Sequence, residues 1–358
     1  MNPATRVMVA VVLLGWSAVG CDGGEKGIKV MTQNVYYGFD VGPILAAGSA
    51  EEIPVLAAQA FQQLLSTDFP ERAGAIADEI ARKRPHLIGL QEVALFRIQS
   101  PGDAAVGGLV PAETVFLDYL EILLSALVAR GLEYRVAAKV QNVDVELPMV
   151  TGTDPLTFDD IRMTDYDVIL SRVDVQVANA VAVNYQAKLF IPNLGLEVPR
   201  GYVAVDATVR GWKTIRFATT HLEDTPFPDV QLAQAQELAA ALATEQRTVV
   251  LVGDFNSPAP GGDTYKFLKS QDYVDAWQES SRRDKGQGLT WGHAADLRNA
   301  TVEFTQRLDL VLMKRGTSLL EPGFVAVEIW GDELDERTPS GLWPSDHAGV
   351  EVLVGMGR

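Results

Sequence analysis

The sequence predicts an α/β fold of the α+β kind, in which mixed β-sheets are covered by helices. The chain of 358 residues is 47% hydrophobic and 22% charged, as is typical of a globular protein with a large core. Strand-like segments follow one another in hairpin-like succession through the middle of the chain. Helical segments are grouped instead of alternating with strands, which argues against a doubly wound Rossmann arrangement.

Apolar residues at helical spacing predict the helices. In residues 71–84, for example, apolar side chains recur every three or four positions, and Pro85 ends the segment. Residues 97–111 are rich in glycine and predict a loop, and Gly131 is placed to cap the helix that follows. The predicted helices cover residues 51–65, 71–84, 112–130 and 230–244.

Short apolar runs rich in β-branched and aromatic residues predict the strands. Several of these runs are bounded by turn-forming residues, and the run at 87–90 is apolar enough to be buried on both faces. The predicted strands cover residues 28–32, 87–90, 134–140, 168–170, 173–183, 202–209, 213–219, 249–252, 308–313, 324–329 and 350–354.

The amino terminus predicts export from the cytoplasm. Arg6 precedes an apolar run at residues 7–19, which is shorter than the roughly 20 residues that a bilayer-spanning helix needs. The run is therefore interpreted as the core of a signal peptide. Residues 18–21 read Ala-Val-Gly-Cys and resemble the lipobox of bacterial lipoproteins, in which cleavage precedes a cysteine that is then lipidated. An ordinary secretory signal with an incidental cysteine is the alternative.

This interpretation gives the expected organisation of the chain. A lipoprotein-type signal peptide occupies residues 1–20, a tether residues 21–27, and one domain residues 28–358. The mature protein is expected outside the cytoplasm, either anchored to a membrane through the lipid on Cys21 or secreted, and as a monomer. The single cysteine cannot form an internal disulfide.

The charge balance excludes some functions. The chain has 47 acidic and 30 basic residues, for a net charge of −17. Such a chain repels polyanions at long range, so it is neither a general DNA-coating protein nor a protein that binds anionic membranes by charge. Arg200, Arg298 and Arg307 stand beside the motifs described below and could bind phosphate through two parallel hydrogen bonds, which keeps nucleic acid among the permitted substrates.

Polar side chains suited to metal and phosphate chemistry lie where predicted strands end. Glu92 follows a buried run and must find a cation or hydrogen-bond donors there. Asp254 and Asn256 lie two residues apart, so strand alternation places them on one face. A carboxylate such as Asp309 can orient the imidazole of a base. The full set is Asn34, Glu92, His221, Asp254, Asn256, Asp309, Asp346 and His347.

Six short motifs carry these residues. Each motif alone is weak, but all six occur in order at the ends of apolar runs. They are Met-Thr-Gln-Asn-Val (31–35), Leu-Gln-Glu-Val (90–93), Thr-His-Leu-Glu (220–223), Gly-Asp-Phe-Asn-Ser (253–257), Arg-Leu-Asp-Leu-Val (307–311) and Pro-Ser-Asp-His-Ala (344–348).

The set resembles the endonuclease/exonuclease/phosphatase superfamily, also called deoxyribonuclease I-like, with the leader of a bacterial lipoprotein. The resemblance implies a four-layer sandwich: two packed mixed β-sheets with helices on the outer faces. It also implies a magnesium-dependent phosphoesterase site where the sheet ends meet, with Mn²⁺ or Ca²⁺ as alternative ions.

The resemblance further assigns roles to residues. Asn34, Glu92 and Asp346 correspond to metal ligands. His221, Asp254, Asn256, Asp309 and His347 correspond to catalytic residues, among which the division of base and acid stays open. Tyr166 is the candidate for a phosphate-contacting side chain in the middle of the chain, and Arg200 joins it as a phosphate-binding candidate by its position beside the motifs.

The chain departs from the family before the strand Val-Ile-Leu-Ser-Arg (168–172). Many members have a polar pair such as Gly-Asn there, whereas this chain has Asp165-Tyr166-Asp167. Asp167 either adds a carboxylate near the phosphate or faces solvent. Trp343, next to the last motif, is the tryptophan expected to touch substrate.

The expected function is that of an extracytoplasmic, Mg²⁺-dependent phosphoesterase. It would hydrolyse a phosphodiester, of nucleic acid or of a lipid or inositol phosphate, by in-line attack of water. The alternative is a noncatalytic surface lipoprotein that uses the same sandwich as a binding platform.

Overall fold

A computed structural model describes residues 27–283, 286–316 and 322–356. The predicted signal peptide and lipobox, and all of the predicted tether except Gly27, lie outside these ranges. The helices are α1 (Gly42–Leu45), α2 (Ile53–Ser66), α3 (Phe69–Lys83), α4 (Tyr119–Ala129), α5 (Pro228–Ala241), α6 (Asp263–Ser270) and α7 (Ala276–Glu279). In the described ranges, no helix combines the length and apolarity needed to cross a membrane.

Most strands belong to two large sheets. The strands are β1 (Ile28–Asn34), β2 (Leu87–Gln91), β3 (Leu95–Gln99), β4 (Thr114–Asp118), β5 (Tyr134–Thr153), β6 (Leu156–Arg172), β7 (Gln176–Asn184), β8 (Leu189–Ile191), β9 (Leu196–Val198), β10 (Gly201–Thr208), β11 (Ile215–His221), β12 (Val249–Asp254), β13 (Val274–Asp275), β14 (Arg282–Arg283), β15 (Asp309–Lys314), β16 (Pro322–Trp330) and β17 (Gly349–Met356).

The first sheet has the order β14-β16-β17-β1-β2-β6-β3-β4, with β5 also paired to β6. The second has the order β13-β15-β12-β11-β10-β7, and β8 and β9 form a separate hairpin. Both large sheets are mixed, because β1 runs parallel to β2 and β11 runs parallel to β12 among antiparallel neighbours.

The sheets pack face to face, and helices cover their outer faces. Neighbouring residues in a strand point to opposite faces, so Val30 packs between the sheets while Met31 packs outward against α3 and α4. In the second sheet, Val252 packs inward while Leu251 packs outward against α5 and α6. These layers form the four-layer sandwich that the family resemblance implies.

Some predicted elements differ from the structure. Residues 112–130 do not form one helix, because residues 114–118 form β4 and the helix begins at Tyr119, where the Asp118 side chain accepts a hydrogen bond from Glu121 N at 3.1 Å. The predicted loop at 97–111 begins inside β3, and α6 was not predicted. β5 and β6 form a hairpin that is much longer than the strands predicted there.

The topology brings all six motifs to one edge of the sandwich. Asn34 and Glu92 leave the parallel strands β1 and β2 at the same end, and the residues before β17, which is antiparallel to β1, reach that end too. In the second sheet, Asp254 is the register partner of both His221 and Asp309.

Gly89 and Gly253 allow the close approach of backbone at this edge. A Cβ at Gly253 would lie 2.0 Å from the carbonyl oxygen of Thr220, and the residue has a φ of +144°. A Cβ at Gly89 would lie 2.5 Å from Thr219 Oγ1 and 2.6 Å from Val252 Cγ2 in the other sheet. A larger residue at Gly253 would push β11 and β12 apart, and one at Gly89 would push the two sheets apart.

Candidate active site

Asn34 connects the two sheets at the centre of the site. Its Nδ2 donates to Glu92 Oε1 at 3.0 Å and to Asp254 Oδ2 at 3.1 Å. Its Oδ1 accepts a hydrogen bond from Tyr36 N at 2.9 Å. An amide oxygen has two lone pairs, so one remains for a metal.

Glu92 lies in an environment that disfavours its charge. Burial, followed by the negative charge of Asp346, raises the pKa of Glu92 to about 8. The carboxylate accepts from Asn34 and from Tyr37 N, the latter at 2.8 Å. Burial also raises the pKa of Asp346, although His347 and Arg72 oppose the shift. Two neighbouring carboxylates of this kind would be stabilised by a cation between them.

The backbone at the site is strained in a way that is common at functional positions. Tyr36, Glu92 and Asn256 all have left-handed backbone angles, with φ of 63°, 60° and 50°. Non-glycine residues rarely adopt this region, and they keep it where the surrounding contacts enforce it. At Glu92 and Asn256, which follow the ends of strands, the left-handed backbone conformation turns the side chain into the site.

His347 is held by two aspartates. Its Nδ1 lies 2.8 Å from Asp309 Oδ2, and its Nε2 lies 3.6 Å from Asp254 Oδ2. Burial lowers the pKa of His347, but the charges of Asp309, Asp254 and Asp346 outweigh burial and raise it well above its usual value. Asp309 N donates to Thr290 Oγ1 at 3.1 Å, which fixes the start of β15. The three aspartates therefore favour the charged form of the imidazole, which can donate from Nε2.

The pKa of His221 is shifted in the opposite direction from that of His347. Burial, followed by the positive charges of Arg200 and His347, lowers its pKa well below the usual value. Arg200 Nη1 lies 3.1 Å from His221 Nδ1, so the guanidinium supports this imidazole. His221 Nε2 lies 3.6 Å from Asp254 Oδ2 and 3.1 Å from Asn256 Nδ2.

Asp254 and Asn256 form a rigid pair. Asn256 N donates to Asp254 Oδ1 at 2.9 Å, and Asn256 Nδ2 donates to the Leu222 carbonyl at 3.0 Å. Asp254 thus has one oxygen bound to the following turn and the other facing Asn34 and both imidazoles. It is the residue around which the site is arranged.

A buried group of acids lies behind His221. Asp165 and Asp167 are completely buried, Asn142 Nδ2 donates to Asp165 Oδ2 at 3.0 Å, and Arg200 Nη2 donates to Glu223 Oε1 at 3.3 Å. No described group donates a hydrogen bond to either oxygen of Asp167. Burial and the charge of Asp165 raise the pKa of Asp167 well above its usual value. Asp167 therefore does not face solvent, which was one of the two alternatives for it.

The side chains present fit a divalent metal ion. Glu92 and Asp346 supply carboxylates that repel each other, and Asn34 contacts Glu92 through its amide. Asp254, Asp309 and His347 offer a second group, whose ligand atoms lie within 4.8 Å of one another. No described group donates a hydrogen bond to Asp309 Oδ1, which is buried. Oxygen-rich sets with an unsatisfied buried oxygen are suited to hard cations.

Eight of the ten predicted site residues come together here, and Arg200 lies behind them. Arg200 contacts His221 and Glu223 and has a side chain that is only 12% exposed, so it supports an imidazole instead of standing free for a phosphate. Tyr166 does not join the cluster. It packs with Val168 and Leu170 on the helix side of β6, opposite Asp165 and Asp167, and Lys139 Nζ lies 4.3 Å from its ring centre.

Two other expectations are corrected by the structure. Trp343 is completely buried and stacks on His293 with ring centres 4.3 Å apart, so it cannot touch a substrate. Arg307 donates to both oxygens of Asp275, at 3.1 and 2.7 Å, which makes it part of the buried framework.

Arg72 and Ser345 were not predicted but position the site. Arg72 is completely buried and donates to the carbonyls of Val35, Tyr36 and Pro344, at 2.7, 3.1 and 2.9 Å. Ser345 Oγ donates to Asn34 O at 2.7 Å and accepts from His347 N at 3.1 Å. Both side chains join the loop after β1 to the loop before β17. Their contacts are with backbone, so the sequence did not indicate their role, although Ser345 lies within the motif at 344–348.

The fold and the site define a two-sheet sandwich protein with an acidic, imidazole-containing centre at one edge. The sequence profile described as "Endonuclease/Exonuclease/phosphatase family" matches residues 31–347. The chain belongs to this family. Enzymes of the family hydrolyse phosphate esters and generally depend on a divalent metal. No curated protein sequence matches the chain.

Solved structures share the fold at low sequence identity. An endonuclease/exonuclease/phosphatase family protein from Leptotrichia buccalis is 16% identical, with a TM-score of 0.56 over 91% of this chain and 99% of its own. A mannosyl-6-phosphatase from Bacteroides thetaiotaomicron is 13% identical, with a TM-score of 0.54 over 91% and 99%. D. rerio TDP2 complexed with single-strand DNA product is 14% identical, with a TM-score of 0.53 over 92% and 98%.

Proposed function

We propose that this protein is a magnesium-dependent phosphoesterase that hydrolyses a phosphodiester by in-line attack of water. The observation that carries the proposal is the arrangement around Asp254, whose Oδ2 accepts from Asn34 at 3.1 Å and lies 3.6 Å from the Nε2 atoms of both His221 and His347. Asp254 Oδ2 is thereby surrounded by groups that can bind a phosphate, orient a water and stabilise negative charge.

Glu92, Asp346 and Asn34 are proposed to hold the cation. Mg²⁺ prefers oxygen ligands and retains several waters, so one or two carboxylates and an amide oxygen suffice. When bound, the cation neutralises phosphate oxygens and stabilises the leaving oxygen. Asp254, Asp309 and His347 would hold a second ion only if His347 gave up its proton, and the stoichiometry of metal binding distinguishes one ion from two.

The other residues act on the phosphate and the water. The charged imidazole of His347 donates from Nε2 to a phosphate oxygen, because its raised pKa makes it a poor base. The Asp254 carboxylate accepts a hydrogen bond from the attacking water and orients it. The neutral His221 and the Asn256 amide lie 3.1 Å apart beside Asp254 and stabilise the negative charge that develops on the phosphoryl oxygens.

Several basic residues that could have met a nucleic acid are already paired with acids. Arg82 and Lys83 pair with Glu79 and Glu328, Arg200 pairs with Glu223, and Arg307 pairs with Asp275. Phosphates along a strand need cations that are available to them. The net charge of −17 also disfavours a nucleic acid substrate.

We also propose that the enzyme works outside the cytoplasm as a monomer, anchored through a lipid on Cys21. The signal-like run at residues 7–19 and the Ala-Val-Gly-Cys sequence support this location. Labelled palmitate should be incorporated into the wild-type chain in a bacterial host. The C21S chain should not incorporate it.

A substrate panel tests the activity. Purified protein is assayed with Mg²⁺, Mn²⁺, Ca²⁺ or a chelator against plasmid DNA, RNA, sphingomyelin, inositol phosphates and a chromogenic bis-phosphodiester. We expect metal-dependent hydrolysis of a diester and a loss of about 100-fold or more in D254N. The matched control is D206N, a buried aspartate of β10 that pairs with Arg216 at 3.0 Å and should keep the activity. Absence of hydrolysis in every arm would favour the noncatalytic binding platform instead.

A further inference from the structure

An apolar pocket opens beside the candidate active site. Its cavity volume is about 140 Å³, and it is partly open to solvent. Its walls come from α1 and α2, from the β5–β6 hairpin and from the β8–β9 hairpin. Representative wall residues are Ile44, Ala60, Phe61, Val145, Met163 and Leu196. The apolar walls contribute almost no hydrogen-bonding side chain.

The polar end of the pocket is shared with the site. The polar residues of the lining are Tyr37, Asp165, Arg200 and Glu223, all at this end. Tyr37 N donates to Glu92 Oε2 at 2.8 Å, and Arg200 Nη1 lies 3.1 Å from His221 Nδ1. Only Tyr37 therefore separates a molecule in the pocket from Glu92, and only Arg200 separates it from His221.

We propose that this pocket holds the aliphatic chain of a lipid phosphoester while the phosphate lies at the Glu92–Asp254–His347 site. This inference deepens the proposed function and rests on it. A nucleobase or a sugar would need polar partners along its length, and the walls offer none beyond the shared end. A hydrocarbon chain needs only apolar contact, and each methylene it buries adds affinity.

The apolar run at residues 7–19 is the alternative occupant. A chain segment that filled the pocket would compete with an added ligand, so the binding experiment detects it.

Binding of non-hydrolysable alkylphosphonates to the full-length chain tests the pocket. We compare methyl-, butyl-, hexyl- and octylphosphonate by calorimetry, with Mg²⁺ present. Affinity should rise about threefold for each added methylene until the pocket is filled. Equal affinity for methyl- and octylphosphonate would overturn the proposal, because it would show that the chain stays in water or that the pocket is already occupied.

Two variants test whether the alkyl chain of the phosphonate binds in this pocket. A60W places an indole in the pocket from a half-buried position of α2, and L196D places a charge in the β9 wall. Each should weaken octylphosphonate at least tenfold and leave methylphosphonate unchanged. The matched control is V55W, on the same helix at a position that is 49% exposed and outside the lining. If affinity still rises with the length of the alkyl chain in both pocket variants, the alkyl chain binds elsewhere and the proposal is wrong.

The same variants separate this inference from the proposed function. Hydrolysis of the chromogenic bis-phosphodiester, which has no alkyl chain, should be within twofold of wild type in A60W. If that diester is cleaved but chain length has no effect, the pocket assignment fails alone. If no phosphoester is cleaved but octylphosphonate binding still depends on Ala60 and Leu196, the pocket stands and the catalytic proposal fails.

Discussion

The amide nitrogen of Asn34, at the end of β1, lies 3.1 Å from Oδ2 of Asp254, at the end of β12 in the other sheet. The same nitrogen donates to Glu92 at 3.0 Å. The two sheets thus contribute adjacent carboxylates that an uncharged side chain separates. The way the sheets pack therefore sets the spacing of the acidic groups, and the site is a product of the whole sandwich.

The first prediction concerns Asn34 itself. N34D would place a further carboxylate between Glu92 and Asp254 and remove two donors, so it should destabilise the protein by about 1–3 kcal/mol in a chelator. Saturating Mg²⁺ should recover part of this loss, because a cation relieves the repulsion. Urea unfolding with and without the metal measures both effects. The control is N179D, whose amide donates to Asp206 at 2.7 Å; its stability should be insensitive to Mg²⁺.

The second prediction concerns the protonation of the histidines. The chain has four, and burial lowers the pKa of His86 and of His293 to about 4. The pKa of His221 is lowered well below its usual value, and the pKa of His347 is raised well above it. In chelator-treated protein at pH 6.5, imidazole NMR signals should therefore show one charged and three neutral rings.

This pattern also gives the direction of the pH dependence. The three neutral rings bind protons below about pH 6.5 only in the unfolded chain, so they make stability fall as the pH falls toward 4. His347 acts in the opposite direction: its contribution is complete below about pH 6.5 and is lost as the pH rises through its folded-state pKa. Four rings that titrate together near 6.5 would contradict the pattern.

The third prediction concerns Arg72. R72K keeps the charge but loses the planar donors that reach the carbonyls of Val35, Tyr36 and Pro344. It should lower the free energy of unfolding by about 2–4 kcal/mol and also lower the activity, since both site loops lose their link. R82K on the same helix α3 is the control, because its side chain is 51% exposed; its change should stay within about 0.5 kcal/mol.

The fourth prediction concerns Gly253. G253A would force a Cβ to within 2.0 Å of Thr220 O at a φ of +144°, so β11 and β12 would have to separate beside His221 and Asp254. A loss of at least about 2 kcal/mol in thermal or urea unfolding is expected. G261A has no heavy atom within 4 Å of the added Cβ, and it should be close to wild type. Equal stability of the two variants would show that the approach of the strands is not constrained.

The strand-end residues were predictable because each interrupts an apolar run. A polar residue directly after such a run must be solvated by a partner, and the parallel pairs then place several of these residues at one edge. Glu92 and Asp254 follow this rule. The position of β4 was not predictable in the same way, since Val115 and Phe116 also fit the apolar spacing of the helix that begins at Tyr119.

The residues that were missed depend on contacts distant in the chain. Arg72 is on a helix and binds carbonyls from two remote loops, so its role appears only when the loops meet. Tyr166 could have been assigned correctly from strand alternation, because Asp165 and Asp167 on either side must point to the other face. The apolar pocket was also beyond prediction, since its walls come from two helices and two hairpins.

The rate of phosphodiester hydrolysis in E92Q, compared with E79Q, tests the central claim most directly. Burial raises the pKa of both glutamates to about 8, but Glu79 lies on α3 near Glu336, apart from the site. Both variants remove a disfavoured charge. With saturating Mg²⁺, we expect E92Q to lose about 100-fold or more in kcat and E79Q to stay within a factor of about two of wild type. Equal rates in the two variants, with native circular dichroism in both, would contradict the assignment of the site.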